Sequence, residues 1–165
     1  MIQALQTVAT IGVYGWTVEA WLEELRAAEV RLVVDVRQRR GVRGSEYAWA
    51  NAQRLQSALL QAEISYEHRK ELAPTTELRQ LQYREDARIG AGKRSRVGLA
   101  PAYVERYNLE ILGQVDLEPL VDAFPADGSS AFMCVERDPE ACHRSLVAAR
   151  LASEFGLAVT HLKPS

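Results

Sequence analysis

Short apolar runs alternate with helical patterns along this chain. Runs at 7–12, 31–36, 130–135 and 157–162 predict buried strands, and 64–68 predicts a short fifth one. Because continuous apolar runs suit strands that are covered on both faces, the sheet they form is predicted to be mostly parallel.

Predicted helices fill the segments between these strands. Thr17 is a suitable N-cap, Pro101 and Pro139 suit a first helical position, and Gly156 is a natural stop. The apolar positions that support the helices are Val18, Trp21, Leu22, Leu25, Leu55, Leu59, Leu60, Val104, Tyr107, Ile111, Leu146, Val147, Leu151 and Phe155. Two shorter helices are predicted, one from Thr75 or Thr76 through Tyr83 and one over 117–124. This alternation predicts one domain over 1–165, a three-layer Rossmann-like α/β domain with a mostly parallel five-stranded sheet.

Composition narrows the class of protein. The chain has 165 residues, of which 47% are hydrophobic and 25% charged, as in an ordinary globular domain. The net charge of −2 argues against a general polyanion binder, and no apolar segment approaches the roughly 20 residues that span a bilayer. Two cysteines and an opening without a basic leader indicate a reducing compartment, so we expect a cytoplasmic protein without a membrane partner. The sequence leaves the cofactor and the oligomeric state open.

Polar residues gather where the predicted strands end. Asp35 and Arg37 follow the second strand, His68 closes the third, and Cys134 and Glu136 end the fourth. Ligands of open α/β sheets bind at this edge, so Asp35, Arg37 and His68 are candidate ligand-binding residues. Structural roles are the alternative: an ion pair for Asp35 with Arg37, a hydrogen-bonded histidine, and Cys134 as a small core residue. Glu136 leaves a buried strand and needs a partner, for which Arg37 or Arg144 is available.

The tripeptide Cys142-His143-Arg144 falls in the first turns of the last predicted helix, whose start is set by Asp138-Pro139. Backbone N–H groups there, with Arg144, favour an anion or phosphate site. A helix start, an imidazole and a guanidinium also stabilise a thiolate, which makes Cys142 a candidate nucleophile. A metal site of Cys134, Cys142, His143 and His68 is a third interpretation. The spacing Cys-x7-Cys-His matches no common zinc motif, so no metal is assigned.

Two segments are locally basic in this acidic protein. Loop 37–43 carries four arginines and no acid, and the glycine-rich loop 88–96 carries four basic residues. Tyr47, Trp49 and Tyr83 lie near them in sequence and offer rings for base stacking.

Several of these motifs together resemble a bacterial family, the domain of unknown function 488 (DUF488). The most specific part is Cys134-x-Glu136 followed by Cys142-His143-Arg144 and a closing strand with Thr160-His161-Leu162. The other matching motifs are Thr10-Ile11-Gly12, Asp35-Val36-Arg37, and Tyr66-Glu67-His68 followed by Leu72. The resemblance implies an intracellular Rossmann-like domain with a polar cluster at the strand ends, and it carries no settled activity.

The chain departs from the family pattern at two places. Val13-Tyr14-Gly15 stands where the family often continues with a His or Thr and a Ser, and Ala73-Pro74 replaces a glycine pair. A role that needs the missing hydroxyl is therefore not expected here.

Two classes of function remain open. In the first, the chain binds a phosphorylated small molecule or nucleotide-like ligand and acts as a hydrolase or transferase. Its catalytic residues would be Glu136, Cys142 and His143, and its anion-binding residues Asp35, Arg37, His68 and Arg144. In the second, the basic loops 37–43 and 88–96 bind nucleic acid without catalysis.

Overall fold

One five-stranded sheet organises the part of the chain that this computed structural model describes, residues 6–92 and 94–165. The strands are β1 (Thr7–Ile11), β2 (Val30–Asp35), β3 (Ser65–His68), β4 (Ser129–Met133) and β5 (Ala158–Leu162). Their order is β3-β2-β4-β1-β5, and every neighbouring pair is parallel. The predicted Rossmann-like α/β fold is confirmed, with a wholly parallel sheet.

Helices connect the strands. They are α1 (Val18–Ala27), α2 (Ala52–Gln61), α3 (Thr76–Arg88), α4 (Pro101–Glu110), α5 (Glu118–Asp122) and α6 (Arg144–Phe155), with 3-10 turns at Ser45–Ala50, Lys70–Leu72, Leu112–Gln114 and Pro139–Ala141. The caps follow the sequence: the hydroxyls of Thr17 and Thr75 accept backbone N–H groups of α1 and α3, and Gly156 ends α6 in the left-handed conformation.

The strand order determines how the helices are layered. Connections from β1 to β2 and from β2 to β3 run in one direction along the sheet, and the later two connections run back. Because such crossovers are right-handed, α1 and α2 cover one face and the helices from α3 to α6 cover the other.

The neighbouring strands β2 and β4 mark the point where the direction reverses, because the connection after β2 runs toward β3 and the connection after β4 runs toward β5. A crevice opens between strands whose connections leave in opposite directions, and ligands of α/β proteins bind there. Gly12, directly after β1, lies so close to the segment after β4 that an added Cβ would be 2.0 Å from the carbonyl oxygen of Glu136. A glycine is therefore required at this position.

The core follows the apolar runs. All five residues of β4 are buried, as are Leu32, Val33 and Val34 of β2. Two expected apolar positions differ: Leu60 is 78% exposed, and α4 buries Tyr103 and Tyr107 while Val104 is only half-buried.

Two predicted boundaries near the site were wrong. β4 ends at Met133, so Cys134 and Val135 follow the strand instead of completing it. Asp138 makes no side-chain cap, and the turn that begins at Pro139 is interrupted at Cys142, whose backbone is extended with φ −140° and ψ 144°. The helix proper begins at Arg144.

None of the described helices has the length and apolar character needed to cross a membrane. Residues 1–5, part of the opening considered for a leader, and Lys93 of the predicted basic loop lie outside the described residues.

Candidate ligand-binding site

A cavity of about 660 Å³ opens at the carboxyl edge of the sheet. Most of its lining comes from four segments: the loop after β2, one face of α3, the loop between α3 and α4, and the segment from Cys134 to His143. Tyr14, Pro74 and Tyr103 complete the lining. The lining residues are Tyr14, Arg37, Gln38, Arg39, Gly41, Val42, Arg43, Pro74, Arg79, Gln82, Tyr83, Gly92, Arg94, Ser95, Arg96, Leu99, Tyr103, Cys134, Val135, Glu136, Ala141, Cys142 and His143. The cavity thus lies where the strand order favours a ligand.

Arginine dominates the charge of this cavity. Six of the lining residues are arginines, and Glu136 is the one carboxylate among the lining residues that the structure describes. The chain as a whole has a net charge of −2, so positive charge is concentrated here. Arginines gathered in one cavity attract an anion that enters it.

Besides Arg94, which pairs with Glu46, Arg39 and Arg43 carry the exposed part of this charge. Both belong to the loop after β2 and are exposed to solvent. Within residues 6–92 and 94–165, neither guanidinium makes a hydrogen bond or ion pair with another residue. These two side chains can therefore bind an anion without breaking a contact of the fold.

Arg37 is a structural residue as well as a lining one. Its Nε and Nη2 donate to the two carboxylate oxygens of Asp35 at 2.9 and 2.8 Å, and its Nη1 donates to the carbonyl oxygen of Ala50 at 2.9 Å. Burial by itself lowers the pKa of Arg37, but the bonds and charge of Asp35 outweigh it and raise the pKa. The alternative of a structural Asp35–Arg37 pair is what the contacts show.

Arg144 is likewise bonded within the fold. It is fully buried, with Nη1 donating to the carbonyl oxygen of Glu136 at 2.6 Å and Nη2 to that of Arg137 at 3.2 Å. Arg144 fixes the backbone of the segment after β4 and is not among the lining residues, whereas Arg37 is. The structure therefore does not bring these two arginines together as a clamp in one cavity.

The inner end of the cavity holds Cys134, Cys142 and His143. Nδ1 of His143 lies 3.8 Å from Sγ of Cys142 and 3.9 Å from Sγ of Cys134, and all three side chains are buried. Nε2 of the same ring donates to the carbonyl oxygen of Val36 at 2.7 Å. A carbonyl can only accept, so Nε2 carries a proton and Nδ1 faces the two sulfurs. Neighbouring side chains on a regular helix point in different directions, and here the extended backbone at Cys142 brings its thiol close to the ring of His143.

These contacts favour a thiolate. Burial alone raises the pKa of the Cys142 thiol, but its hydrogen bond with Cys134 and the positive charges of His143 and Arg144 outweigh burial. The pKa of Cys142 consequently lies well below the ordinary value of a thiol. Burial lowers the pKa of His143, whereas the charge of Cys142 and the bonds to Cys142 and Val36 raise it overall.

Glu136 also lines the cavity, and its partner differs from the two that were expected. Its carboxylate pairs with Arg96, whose Nη1 lies 3.3 Å from Oε1 and 3.2 Å from the carbonyl oxygen of Ala141. Arg144 contacts the backbone carbonyl of Glu136 instead of its carboxylate. Glu136 is thus held against the loop between α3 and α4, facing the same cavity as Cys142.

Asp86 anchors Arg96 from the other side. Nη2 of Arg96 donates to Oδ2 of Asp86 at 2.7 Å and its Nε to both oxygens at 3.0 Å. Gln82 donates to Asp86 at 2.8 Å and accepts the backbone N–H of Ala100 at 2.9 Å. Burial by itself raises the pKa of Asp86, but the bonds from Arg96 and Gln82 outweigh it and lower the pKa. A buried polar network therefore holds the glycine-rich loop over the cavity.

Sequence reasoning missed this network. Gln82 and Asp86 follow Leu78 at spacings of four, so they occupy the buried stripe of α3. Polar residues in an apolar stripe were the available indication. The prediction ended this helix at Tyr83, which left Asp86 outside the helical pattern.

His68 and Asp35 lie behind the cavity wall. Nε2 of His68 is 2.9 Å from the carbonyl oxygen of Arg37, and Oδ2 of Asp35 accepts the Tyr66 hydroxyl at 2.6 Å. Neither residue lines the cavity. Their contacts support the loop after β2, and His68 is not part of the sulfur cluster.

The two basic loops meet at the cavity mouth. Nη2 of Arg94 donates to the carbonyl oxygen of Arg43 at 3.0 Å, and its guanidinium lies 4.9 Å from the ring centre of Tyr14 and 5.4 Å from that of Tyr47. Of the three aromatic residues considered for stacking, only Tyr83 lines the cavity.

The remaining candidate, Trp49, packs its ring against that of Trp21 at 5.2 Å. Trp21 is fully buried and donates its indole N–H to the carbonyl oxygen of Gly12 at 3.0 Å. Trp49 therefore belongs to the packing of α1 and not to the cavity.

Fold and cavity together define a class: a parallel α/β domain with an arginine-lined cavity over a cysteine–histidine cluster. The family model for the domain of unknown function DUF488 matches residues 17–151. The chain belongs to this family, which confirms the resemblance seen in its motifs. No curated protein and no solved structure matches the chain.

Proposed function

We propose that this chain binds a phosphate-bearing, nucleotide-like small ligand in the cavity and acts on it as a hydrolase or transferase. The observation that carries the proposal is the pair of exposed arginines, Arg39 and Arg43, at the mouth of a cavity whose lining includes six arginines and one carboxylate. Guanidinium groups bind phosphate oxygens through paired charge-assisted hydrogen bonds. A volume of about 660 Å³ is in the range of small-molecule sites.

The chemistry belongs to the inner end of the cavity. Glu136, Cys142 and His143 line it there, so a ligand whose phosphate contacts the mouth extends its remaining part toward these groups. Glu136 supplies proton transfer at the reacting atom. Arg96, which is fixed by Asp86, holds the Glu136 carboxylate in place for that role.

Isothermal titration with inorganic pyrophosphate tests the binding step. The double variant Arg39→Ala/Arg43→Ala should bind about tenfold more weakly or worse, since a charge-assisted hydrogen bond contributes roughly 1.5–3 kcal/mol. The matched control is Arg26→Ala/Arg54→Ala, which removes the same charge from exposed positions that do not line the cavity. An equal loss of pyrophosphate affinity in both double variants would show that only the net charge of the protein matters, which would contradict the proposal.

A non-catalytic nucleic-acid-binding module is the second candidate, supported by the contact between Arg94 of one basic loop and Arg43 of the other. Titration with a single-stranded oligonucleotide distinguishes this candidate from the enzyme. Affinity that exceeds that for pyrophosphate and falls steeply with salt would favour this candidate. Turnover of a phosphorylated substrate that is lost in Glu136→Gln would favour the enzyme.

A further inference from the structure

We infer that Cys134, Cys142 and His143 form a metal site and that Zn²⁺ is the ion that fits it. The three ligand atoms lie within 4.8 Å of one another, and the three side chains are buried at the inner end of the cavity. Two thiolates and one imidazole are soft ligands that favour zinc over magnesium or calcium. The inference does not depend on which ligand enters the cavity mouth.

The distances agree with tetrahedral coordination. Zinc bonds of about 2.3 Å to sulfur and about 2.0–2.1 Å to nitrogen place sulfur and nitrogen about 3.6 Å apart. The distances from Nδ1 of His143 to the two sulfurs are 3.8 and 3.9 Å. Two sulfurs bound to one zinc ion lie about 3.8 Å apart. The sulfurs of Cys134 and Cys142 lie within 4.8 Å of each other, so they approach by at most about 1 Å when the site closes.

The imidazole is already oriented for this purpose. Nε2 donates to the Val36 carbonyl oxygen at 2.7 Å, which leaves the lone pair of neutral His143 on Nδ1, facing both sulfurs. Metal-bound histidines almost always donate their other ring N–H to such an acceptor. The ring of Tyr107, 5.6 Å from that of His143, packs beside it and restricts its rotation.

Positive charges act on both sulfurs of the cluster. Arg96 and Arg144 act electrostatically on Cys142, and Arg37 acts on Cys134. Cysteine binds a metal ion as the thiolate, so both sulfurs lose their protons when the ion binds. A divalent ion neutralises the two thiolates. Its presence would also explain why the sulfurs of both cysteines lie next to the same nitrogen, Nδ1 of His143.

The cavity supplies the fourth coordination position. Three protein ligands and an open position characterise catalytic zinc sites, whereas structural sites close all four. All three residues line the cavity, and Glu136 lines it beside them and acts electrostatically on His143. When bound, the ion would polarise a ligand oxygen, and Glu136 is the carboxylate placed to move a proton there.

Cobalt(II) substitution tests the site directly. Reduced, chelator-treated wild-type protein titrated with Co²⁺ without oxygen should bind a single equivalent. It should show thiolate-to-cobalt charge-transfer absorption and the intense visible bands of a tetrahedral ion, and Zn²⁺ should abolish both. Weak absorption like that of Co²⁺ in buffer would overturn the inference. This outcome is read on the wild-type chain, so it does not depend on how a variant folds.

Variants assign the ligands. Cys134→Ser and Cys142→Ser should each lose charge-transfer intensity, and His143→Gln should bind Co²⁺ about tenfold more weakly or worse. The control is His161→Gln, since His161 bonds to Thr10 and lies outside the cluster. An unchanged cobalt spectrum in Cys142→Ser would refute the site. Fast alkylation of Cys142 that Zn²⁺ does not slow would assign it as a nucleophile instead.

Discussion

The imidazole of His143 donates a hydrogen bond from Nε2 to the carbonyl oxygen of Val36, at 2.7 Å. This bond joins the start of α6 to the end of β2 across 107 positions of sequence. It keeps a proton on Nε2 and turns Nδ1 toward the sulfurs of Cys134 and Cys142. The arrangement of the inner cavity therefore depends on the sheet bringing the ends of β2 and β4 side by side.

Gly12→Ala should destabilise the protein by about 3 kcal/mol, because the new Cβ would lie 2.0 Å from the carbonyl oxygen of Glu136. The backbone on one side must move, and Glu136 would move with it. Urea unfolding measures the loss. Gly98→Ala is the matched control, since a Cβ there has nothing within 4 Å and should leave the free energy of unfolding almost unchanged. Equal stability of the two variants would contradict the close approach.

Asp86→Asn should cost about 3 kcal/mol and weaken ligand binding. Removing one charge of a buried ion pair is costly, and it leaves Arg96 with Glu136, at 3.3 Å, as its ion-pair partner. Arg96 then loses the anchor from which it holds Glu136. Thermal unfolding and pyrophosphate titration measure the two effects. Glu110→Gln, which alters the solvent-exposed pair with Arg106, serves as the control and should leave both quantities unchanged. Wild-type stability in Asp86→Asn would show that the network contributes nothing.

The fold of this chain was largely predictable, since apolar runs such as that of β2 and caps such as Thr17 act locally. Sequence also predicted that residues at the ends of β2 and β4 meet at one edge, because parallel order imposes it. Arg37, Cys134 and Glu136 do line one cavity. The predicted end of β4 and the predicted start of α6 were wrong, because tertiary contacts around Cys142 override the local sequence pattern.

The sequence did not show which arginines are structural and which are available to bind a ligand. The motifs in the sequence indicated Arg37 and Arg144 as anion-binding residues. Both guanidinium groups are buried, however, and they donate hydrogen bonds to Asp35 and to the carbonyl oxygen of Glu136, respectively. Arg39 and Arg43 also line the cavity, but they are exposed to solvent. Nothing in a local pattern tells a buried arginine from an exposed one, because burial depends on which elements pack above the loop.

Stability should fall at alkaline pH through Tyr66. Burial and the bond to Asp35 raise the pKa of Tyr66 to about 12, from an ordinary value of about 10. Between these pH values the unfolded chain has lost the tyrosine proton while the folded chain retains it. Rising pH therefore stabilises the unfolded state relative to the folded state. The contribution is complete below about pH 10 and is lost as pH rises toward 12.

Urea unfolding of wild type and Tyr66→Phe at pH 8 and in the alkaline range isolates this contribution, because every other titrating group is common to both chains. Arg40, whose guanidinium bonds to the same hydroxyl at 3.3 Å, lowers the pKa and limits the shift. The phenylalanine variant should lose less stability between the two pH values. Parallel losses in the two proteins would disprove the role of Tyr66.

The most direct measurement of the central claim is a titration of isotopically labelled protein with inorganic pyrophosphate, followed by backbone amide shifts. An anion bound in the arginine-lined cavity should shift the amides of 38–43, 94–96 and 134–136 in a saturable way, and should leave α2 unaffected. Shifts that fail to saturate, or that centre on the exposed Arg54 of α2 instead of the cavity, would contradict the account.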